Sequence, residues 1–410
     1  MPPALSRRAF LSRSALLGCS LAASPLLTPV SYAAAPWDTR LVVIILRGAM
    51  DGLDVVRPYG DPSYAALRGA IGGGPESGAL DLDGYFALHP ALEPLMPLWQ
   101  SQQLGFFNAV STPYRDKRSH FDGQDILEAG TDGRSGGHDG WLNRMLTRVP
   151  GVEARTAFAI GYGEMKVLSG PAPKSDWSPD ANLALSPQAV RLAEMVMEED
   201  PAFHAALSEA MLLSGDGAAG LGMAGEDGAG EMMGGTAMNA RAPAGGAHVK
   251  VAQFAAEQLR GDTRVISFSI NGWDTHSRQD RAIRPALGRL SDTILTLQNG
   301  VGPEVWQKTA VVAMTEFGRT ARVNGTGGTD HGTGGVMVMA GGALRGGRVY
   351  GDWPGLDEAS LYQRRDLMPT RDVRAPAAWM MRAMAGLDRA ALEQVVFPGL
   401  ELGGDPGLLL

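Results

Sequence analysis

The chain has 410 residues, 44% hydrophobic and 20% charged, which is ordinary globular composition with length for a large core in one or two α/β domains. Its formal charge of −8 excludes a basic field for nucleic acid and a polybasic stretch for anionic lipid. No stretch beyond the N-terminus is apolar for the roughly 20 residues a membrane helix needs, so no transmembrane segment is expected in the mature chain.

Residues 1–35 read as a targeting segment. Arg7-Arg8 precede Ala9-Phe10-Leu11, a moderately apolar stretch follows, and small residues close it at Ser31-Tyr32-Ala33 and Ala33-Ala34-Ala35. This pattern resembles a twin-arginine export signal with a signal-peptidase site. It implies the twin-arginine translocase as a partner and the periplasm or the exterior as the destination. Cys19, the only cysteine, lies inside the segment, so no disulfide is expected after cleavage. Residues 36–410 are read as one domain.

The mature domain opens with Leu41 to Leu46, apolar throughout and β-branched at Val42, Val43, Ile44 and Ile45. That composition predicts a strand buried on both faces, with Asp51 just past its end. Residues 89–103 read as a helix and 104–110 as a second strand. A helix is expected from Ser119, an N-cap with Asp122 three residues on. Another is expected within 139–149, capped by Asp139. A short strand is placed at 156–162. Residues 203–247, rich in Gly, Ala and Met and poor in aromatics, read as a flexible insertion. A helix follows near 247–260, then a strand at 263–270 ending in Asn271-Gly272-Trp273-Asp274-Thr275-His276. Apolar spacing at Leu287, Leu290, Ile294 and Leu297 predicts a helix over 283–298. Strands at 309–314 and 335–344 and a helix at 374–387 complete the pattern. Alternating strands and helices predict a doubly wound, mostly parallel α/β sheet flanked by helices.

Several strand ends carry polar residues: Asp51, then Asp274 and His276, then Glu316, with Asp330 and His331 in the loop beyond. Carboxylates and imidazoles converging at one sheet edge are what a divalent cation requires, and these donors suit Zn²⁺, Mn²⁺, Mg²⁺ or Ca²⁺. There is no dinucleotide fingerprint, cysteine cluster or haem motif to support an oxidoreductase.

Six stretches stand in this order: GAMDGLD, LHPAL, RSHFDGQDILEAG, GWDTHSRQ, MTEFGRTARVNGTGGTDHG and GGALRGGRVYGDWPGL. They resemble the signature of a bacterial family, domain of unknown function 1501, typically exported by the twin-arginine route and grouped with the alkaline phosphatase and sulfatase-like superfamily. The resemblance spans about 38–390. It implies an alkaline-phosphatase-like fold and one or two metal ions. It also implies hydrolysis or transfer of phosphate-type esters, carried by a small molecule or a surface polymer. The metal residues implied are Asp51, Asp274, His276, Glu316, Asp330 and His331. Ser119 takes the place of the nucleophile, opening a helix that ends at Gly130. Arg319 is expected to clamp the ester's oxygens, and His120 or Asp330 to orient a ligand. Phe317 stands where a second-metal ligand is usual, which leaves Asp51, Glu316 and Ser119 as a hard-cation set. The formylglycine sequence of sulfatases is absent around Ser119, so phosphate is favoured over sulfate. The alternative is a non-catalytic, metal-containing member that binds a surface polymer or a partner protein.

Overall fold

A computed structural model describes residues 37–133, 139–161, 165–179 and 246–410. The export segment and nearly all of the Gly/Met-rich stretch at 203–247 lie outside the described residues. The strands are β1 (Arg40–Arg47), β2 (Leu104–Ser111), β3 (Ala157–Ile160), β4 (Ser175–Trp177), β5 (Val265–Asn271), β6 (Thr309–Thr315), β7 (Gly335–Ala340), β8 (Val349–Tyr350) and β9 (Arg371–Asp372). They form one sheet in the order β8, β2, β7, β6, β1, β5, β3, β4, with β9 also pairing β2. Within this sheet only β7 runs against its neighbours and the other described pairs are parallel; Val56–Arg57, Leu80–Asp81 and Ala87–Leu88 form a separate small antiparallel sheet.

The central position of β1 follows from its β-branched run. Leu41, Val43 and Ile45 enter one core, while Val42, Ile44 and Leu46 enter the core on the opposite face. Helices cover both faces. These are α1 (His120–Ala129), α2 (Trp141–Leu146), α3 (Ala247–Arg260), α4 (Arg284–Trp306) and α5 (Arg374–Ala385). Leu259 of α3 and Leu290, Ile294 and Leu297 of α4 pack on the Val42 side. Trp141 and Met145 of α2 and Met380 and Met381 of α5 pack on the Val43 side. The result is the mostly parallel α/β sheet with helices on both faces that the alternation predicted.

Three local expectations change. Residues 89–103 form a 3₁₀ segment, Pro90–Leu95, that runs into a short α-helix, Met96–Gln100. Pro90, Pro94 and Pro97 each remove an N–H donor, which a single regular helix does not tolerate. Asp139 does not cap α2: Gly140 holds the N-cap position, and Asp139 pairs with Arg144 at 3.1 Å instead. Helix α4 continues past residue 298 to Trp306, across a kink where Gly302 (φ 77°) precedes Pro303.

Because β1, β5 and β6 are adjacent and parallel, their carboxyl ends lie at one edge of the sheet. Ligands in open α/β sheets bind outside those ends. The polar residues singled out from the sequence lie on the loops that leave this edge.

Candidate metal centre

Beyond β1 the chain runs Gly48-Ala49-Met50-Asp51, beyond β5 it runs Gly272 to His276, and beyond β6 it runs Glu316 to Arg319. Arg319 joins all three. Its side chain is buried, and Nε donates to Ala49 O (2.7 Å), Nη1 to Thr329 O (3.0 Å), and Nη2 to Gly48 O (2.7 Å), Trp273 O (3.1 Å) and Asp274 Oδ1 (2.5 Å). Trp273 anchors the second loop: it is fully buried and donates its indole N–H to Ile270 O at 3.0 Å. The third loop doubles back so that Asp330 and His331 reach the same edge. Two glycines allow this. A Cβ at Gly328 would stand 2.2 Å from the carbonyl carbon of His276, and one at Gly332 would stand 2.3 Å from that of Arg319.

Four side chains converge there. Ligand atoms of His120, Asp274 and His331 all lie within 4.8 Å of one another. His276 Nε2 lies 3.0 Å from His331 Nε2 and 3.0 Å from Asp274 Oδ1. His331 Nε2 is 3.4 Å from Asp274 Oδ1, and His120 Nε2 is 3.6 Å from Asp274 Oδ2. Donors held at ~2.0–2.2 Å around a tetrahedral ion stand about 3.3–3.6 Å apart, which the 3.4 and 3.6 Å edges around Asp274 match.

The ring tautomers point the same way. His331 Nδ1 lies 2.9 Å from the carbonyl of Arg118, which only accepts, so Nδ1 carries the hydrogen. His276 Nδ1 faces the Asp330 carboxylate at 3.3 Å and carries its hydrogen too. Two neutral rings so held would turn lone pairs toward each other across the 3.0 Å between their Nε2 atoms, which is repulsive without a cation between them. His120 repeats the pattern. Its Nδ1 donates to Glu316 Oε1 at 2.8 Å, and its Nε2 is buried without a hydrogen-bond partner. The donor set therefore fits a divalent metal held by His120, Asp274 and His331, with His276 adjoining the last two. Three imidazoles and one carboxylate suit Zn²⁺ or another transition ion and disfavour Ca²⁺ and Mg²⁺, which take oxygen.

Glu316 works from behind the donors. It is fully buried and accepts from Gly48 N (2.9 Å), Gln124 Nε2 (3.2 Å) and Thr315 Oγ1 (2.8 Å) as well as from His120. Burial alone would raise its pKa, but these hydrogen bonds, led by His120, hold it below the ordinary value as a carboxylate. Asp274 is likewise pushed up by burial, yet His120, His331 and Arg319 keep it well below the usual carboxylate range. In return, the carboxylates of Asp274 and Glu316 lift His120 to about 9. Phe317 does not leave a gap where a ligand is usual. It is buried and stacks on His120 (5.3 Å between centroids) and on Tyr114 (5.8 Å), forming an apolar wall beside the imidazoles.

The expected site residues thus divide. His276, Asp274 and His331 meet as ligand candidates, and His120, expected to orient a ligand, joins them. Asp330 orients His276 and accepts from Asn324 Nδ2 at 3.1 Å. Glu316 backs His120. Asp51 is not brought to the cluster. It is buried against the Arg68 guanidinium, caps Leu53 N–H at 3.1 Å, and accepts from Gln279 Nε2 (2.7 Å) and Thr329 Oγ1 (3.2 Å). The hard-cation set of Asp51, Glu316 and Ser119 is therefore not assembled; a guanidinium supplies the positive charge beside Asp51. Arg319 has its N–H groups committed to protein oxygens and is not free to clamp an ester. Ser119 is the N-cap of α1, accepting from Asp122 N at 3.4 Å, between Arg118, whose carbonyl takes His331, and His120. Sequence reasoning missed Arg68, Gln124 and the Arg118 carbonyl. Gln124 had a signal, since it follows His120 by one helical turn; Arg68 had none.

Arg319→Met would strand the carbonyls of Gly48, Ala49, Trp273 and Thr329, and a loss of about 2–4 kcal/mol in chemical denaturation is expected. The purified full chain is expected to hold stoichiometric divalent metal by elemental analysis, and Asp274→Ala or His331→Ala to lose most of it. Retention of full metal content in both variants would refute the ligand assignment. In the metal-free protein, the stability contributed by His120 is fully present below its ordinary pKa of 6.5 and is lost as pH rises through about 9. A cation must displace that proton, so metal affinity measured against a competing chelator should climb roughly tenfold per pH unit toward 9 and then level off.

No curated protein matches the chain. A solved structure described as a protein in the alkaline phosphatase superfamily from Vibrio parahaemolyticus is similar at 11% identity and a TM-score of 0.35, over 86% of this chain and 68% of that one. The family described as "Protein of unknown function (DUF1501)" matches residues 93–377, more than half of the chain, and the chain belongs to that family.

Proposed function

We propose that the protein is an exported, metal-dependent hydrolase or transferase of phosphate-type esters. The observation that carries this reading is the meeting of three imidazoles and Asp274 at a solvent-open edge, one residue from a serine that caps a helix. Asp274 and His276 are about half exposed, with side chains 47% and 45% accessible, so the centre faces solvent. A bound divalent ion there supplies Lewis-acid neutralisation of an ester's non-bridging oxygens and lowers the pKa of a hydroxyl. The chain's residues do the rest. Arg319 fixes Asp274, while Glu316, Asp330 and the Arg118 carbonyl aim the three rings. Ser119 Oγ, which accepts from Asp122 N at 3.4 Å, is the nucleophile. Its proton passes to solvent as the new O–P bond forms, the departing ester oxygen takes a proton from solvent as its bond to phosphorus breaks, and water or an acceptor hydroxyl then displaces Ser119 from the phosphoryl group. The free N–H groups of α1 face the anion that gathers at Ser119. The anion-pairing role expected of Arg319 passes to Arg118, which is exposed and whose guanidinium has no ion pair among the described residues. Export is supported by the Arg7-Arg8 segment, and phosphate over sulfate by the absence of the formylglycine sequence.

A metal held by His120, Asp274 and His331, with the adjoining His276 as a fourth donor, has no position left for substrate. That favours, as a second reading, a non-catalytic member binding a surface polymer or partner. A panel of aryl phosphate, phosphodiester and aryl sulfate, offered to the metal-loaded full chain, separates the two. Phosphate-ester turnover is expected, with kcat falling about 10³-fold or more in Ser119→Ala. Unchanged turnover in that variant removes Ser119 as nucleophile, and full metal content without turnover of any ester supports the binding reading.

A further inference from the structure

Beside the metal centre lies a cavity of about 840 Å³. Thr320, Asn324 and Asp330 form the wall it shares with the centre, and its charged lining is Arg322, Arg364, Arg365, Asp330 and Glu358. Both carboxylates are partnered. Asp330 accepts from His276 and Asn324, while Glu358 stands 3.7 Å from Arg364 in a pair about three-quarters exposed, where solvent leaves little attraction. Arg365 is fixed by Asp366 at 3.0 Å and by the carbonyl of His331 at 2.7 Å. That leaves Arg322 without an ion pair among the described residues and Arg364 with a weak one, in a chain whose net charge is −8.

The backbone that presents Arg364 is strained. Gln363 (φ 50°) and Arg364 (φ 55°) are consecutive non-glycine residues in the left-handed region, a conformation costing about 1–2 kcal/mol per residue. Tyr362 Oη and Gln363 Nε2 donate to Asp116 Oδ1 at 3.3 and 2.9 Å, and Asp116 (φ 67°) and Arg118 (φ 56°) are themselves left-handed. Four of the eight non-glycine left-handed residues described thus sit in two tied loops that flank His331. Strain of this kind persists where surrounding contacts impose it and gathers at ligand-binding sites.

We infer that this cavity is a subsite for a second anionic group on the substrate, received by Arg322 and Arg364 while the first sits at the metal centre. The inference rests on the phosphate-ester reading above and narrows it to esters that carry a second, separated phosphate-type charge. Calorimetric titration of the metal-loaded full chain with an alkyl monophosphate and with short alkanediol bisphosphates of graded length tests it. The best-fitting bisphosphate is expected to bind about tenfold or more tightly than the monophosphate, beyond the roughly twofold statistical gain of two groups. Arg322→Ala with Arg364→Ala should bring that ratio close to the statistical value, and the paired lysine variants should restore part of it. Bisphosphates no tighter than the monophosphate, or a ratio that survives the double alanine variant, overturn the subsite. If the monophosphate does not bind but bisphosphate binding persists and depends on the two arginines, the subsite stands and the phosphate reading of the metal centre falls.

Discussion

The buried guanidinium of Arg319 organises this protein's functional edge. Taking a charged arginine out of water costs several kcal/mol unless its N–H groups find acceptors. Here they find four backbone carbonyls and Asp274. Those acceptors belong to the loops that follow β1, β5 and β6, so the bonds that offset the cost of burial also set the loops' relative positions. Asp274 is placed among the imidazoles because Arg319 holds it there. The position of Asp274 at the centre is thus set by the fold.

A similar economy governs the charges. Each imidazole at the centre has an acceptor behind it: Glu316 for His120, Asp330 for His276 and the Arg118 carbonyl for His331. A hydrogen bond from Nδ1 to such an acceptor leaves Nε2 as the donor atom and stiffens the ring. The wall made by Phe317 and Tyr114 keeps this side of the centre apolar, which strengthens the electrostatic pull between the rings and the carboxylates. Asp51 is handled in a different way. Its charge is matched inside the protein by Arg68, and Gln279 ties it to Asp54 at 2.9 Å and to Thr329 at 2.7 Å. The edge therefore holds one gathered donor set and, beside it, a closed polar network.

Much of this was legible in the chain. The β-branched run in β1, the Ser119 cap and the apolar spacing of α4 each report a local periodicity, and each appears in the structure close to where it was expected. What failed locally failed for local reasons, as with the prolines of residues 89–103 or the glycine that displaced Asp139 from the cap of α2. The roles of individual polar residues were less legible. Asp51, Asp274 and Glu316 all follow strands with similar spacing, yet one pairs with an arginine, one faces the gap and one sits behind a histidine.

The sequence by itself determined the main alternation of strands and helices and the strand ends where polar residues would collect. It could do so because periodicity and strand ends are properties of short segments. Tertiary structure alone decided which of those residues face one another. Arg68 reaches Asp51 from 17 positions away, and Arg319 reaches Asp274 from 45 positions after it in the chain. No local pattern encodes such pairings. They are settled by which buried charge finds a partner once the sheet has brought the loops together, since an unpaired charge in that interior is too costly to keep.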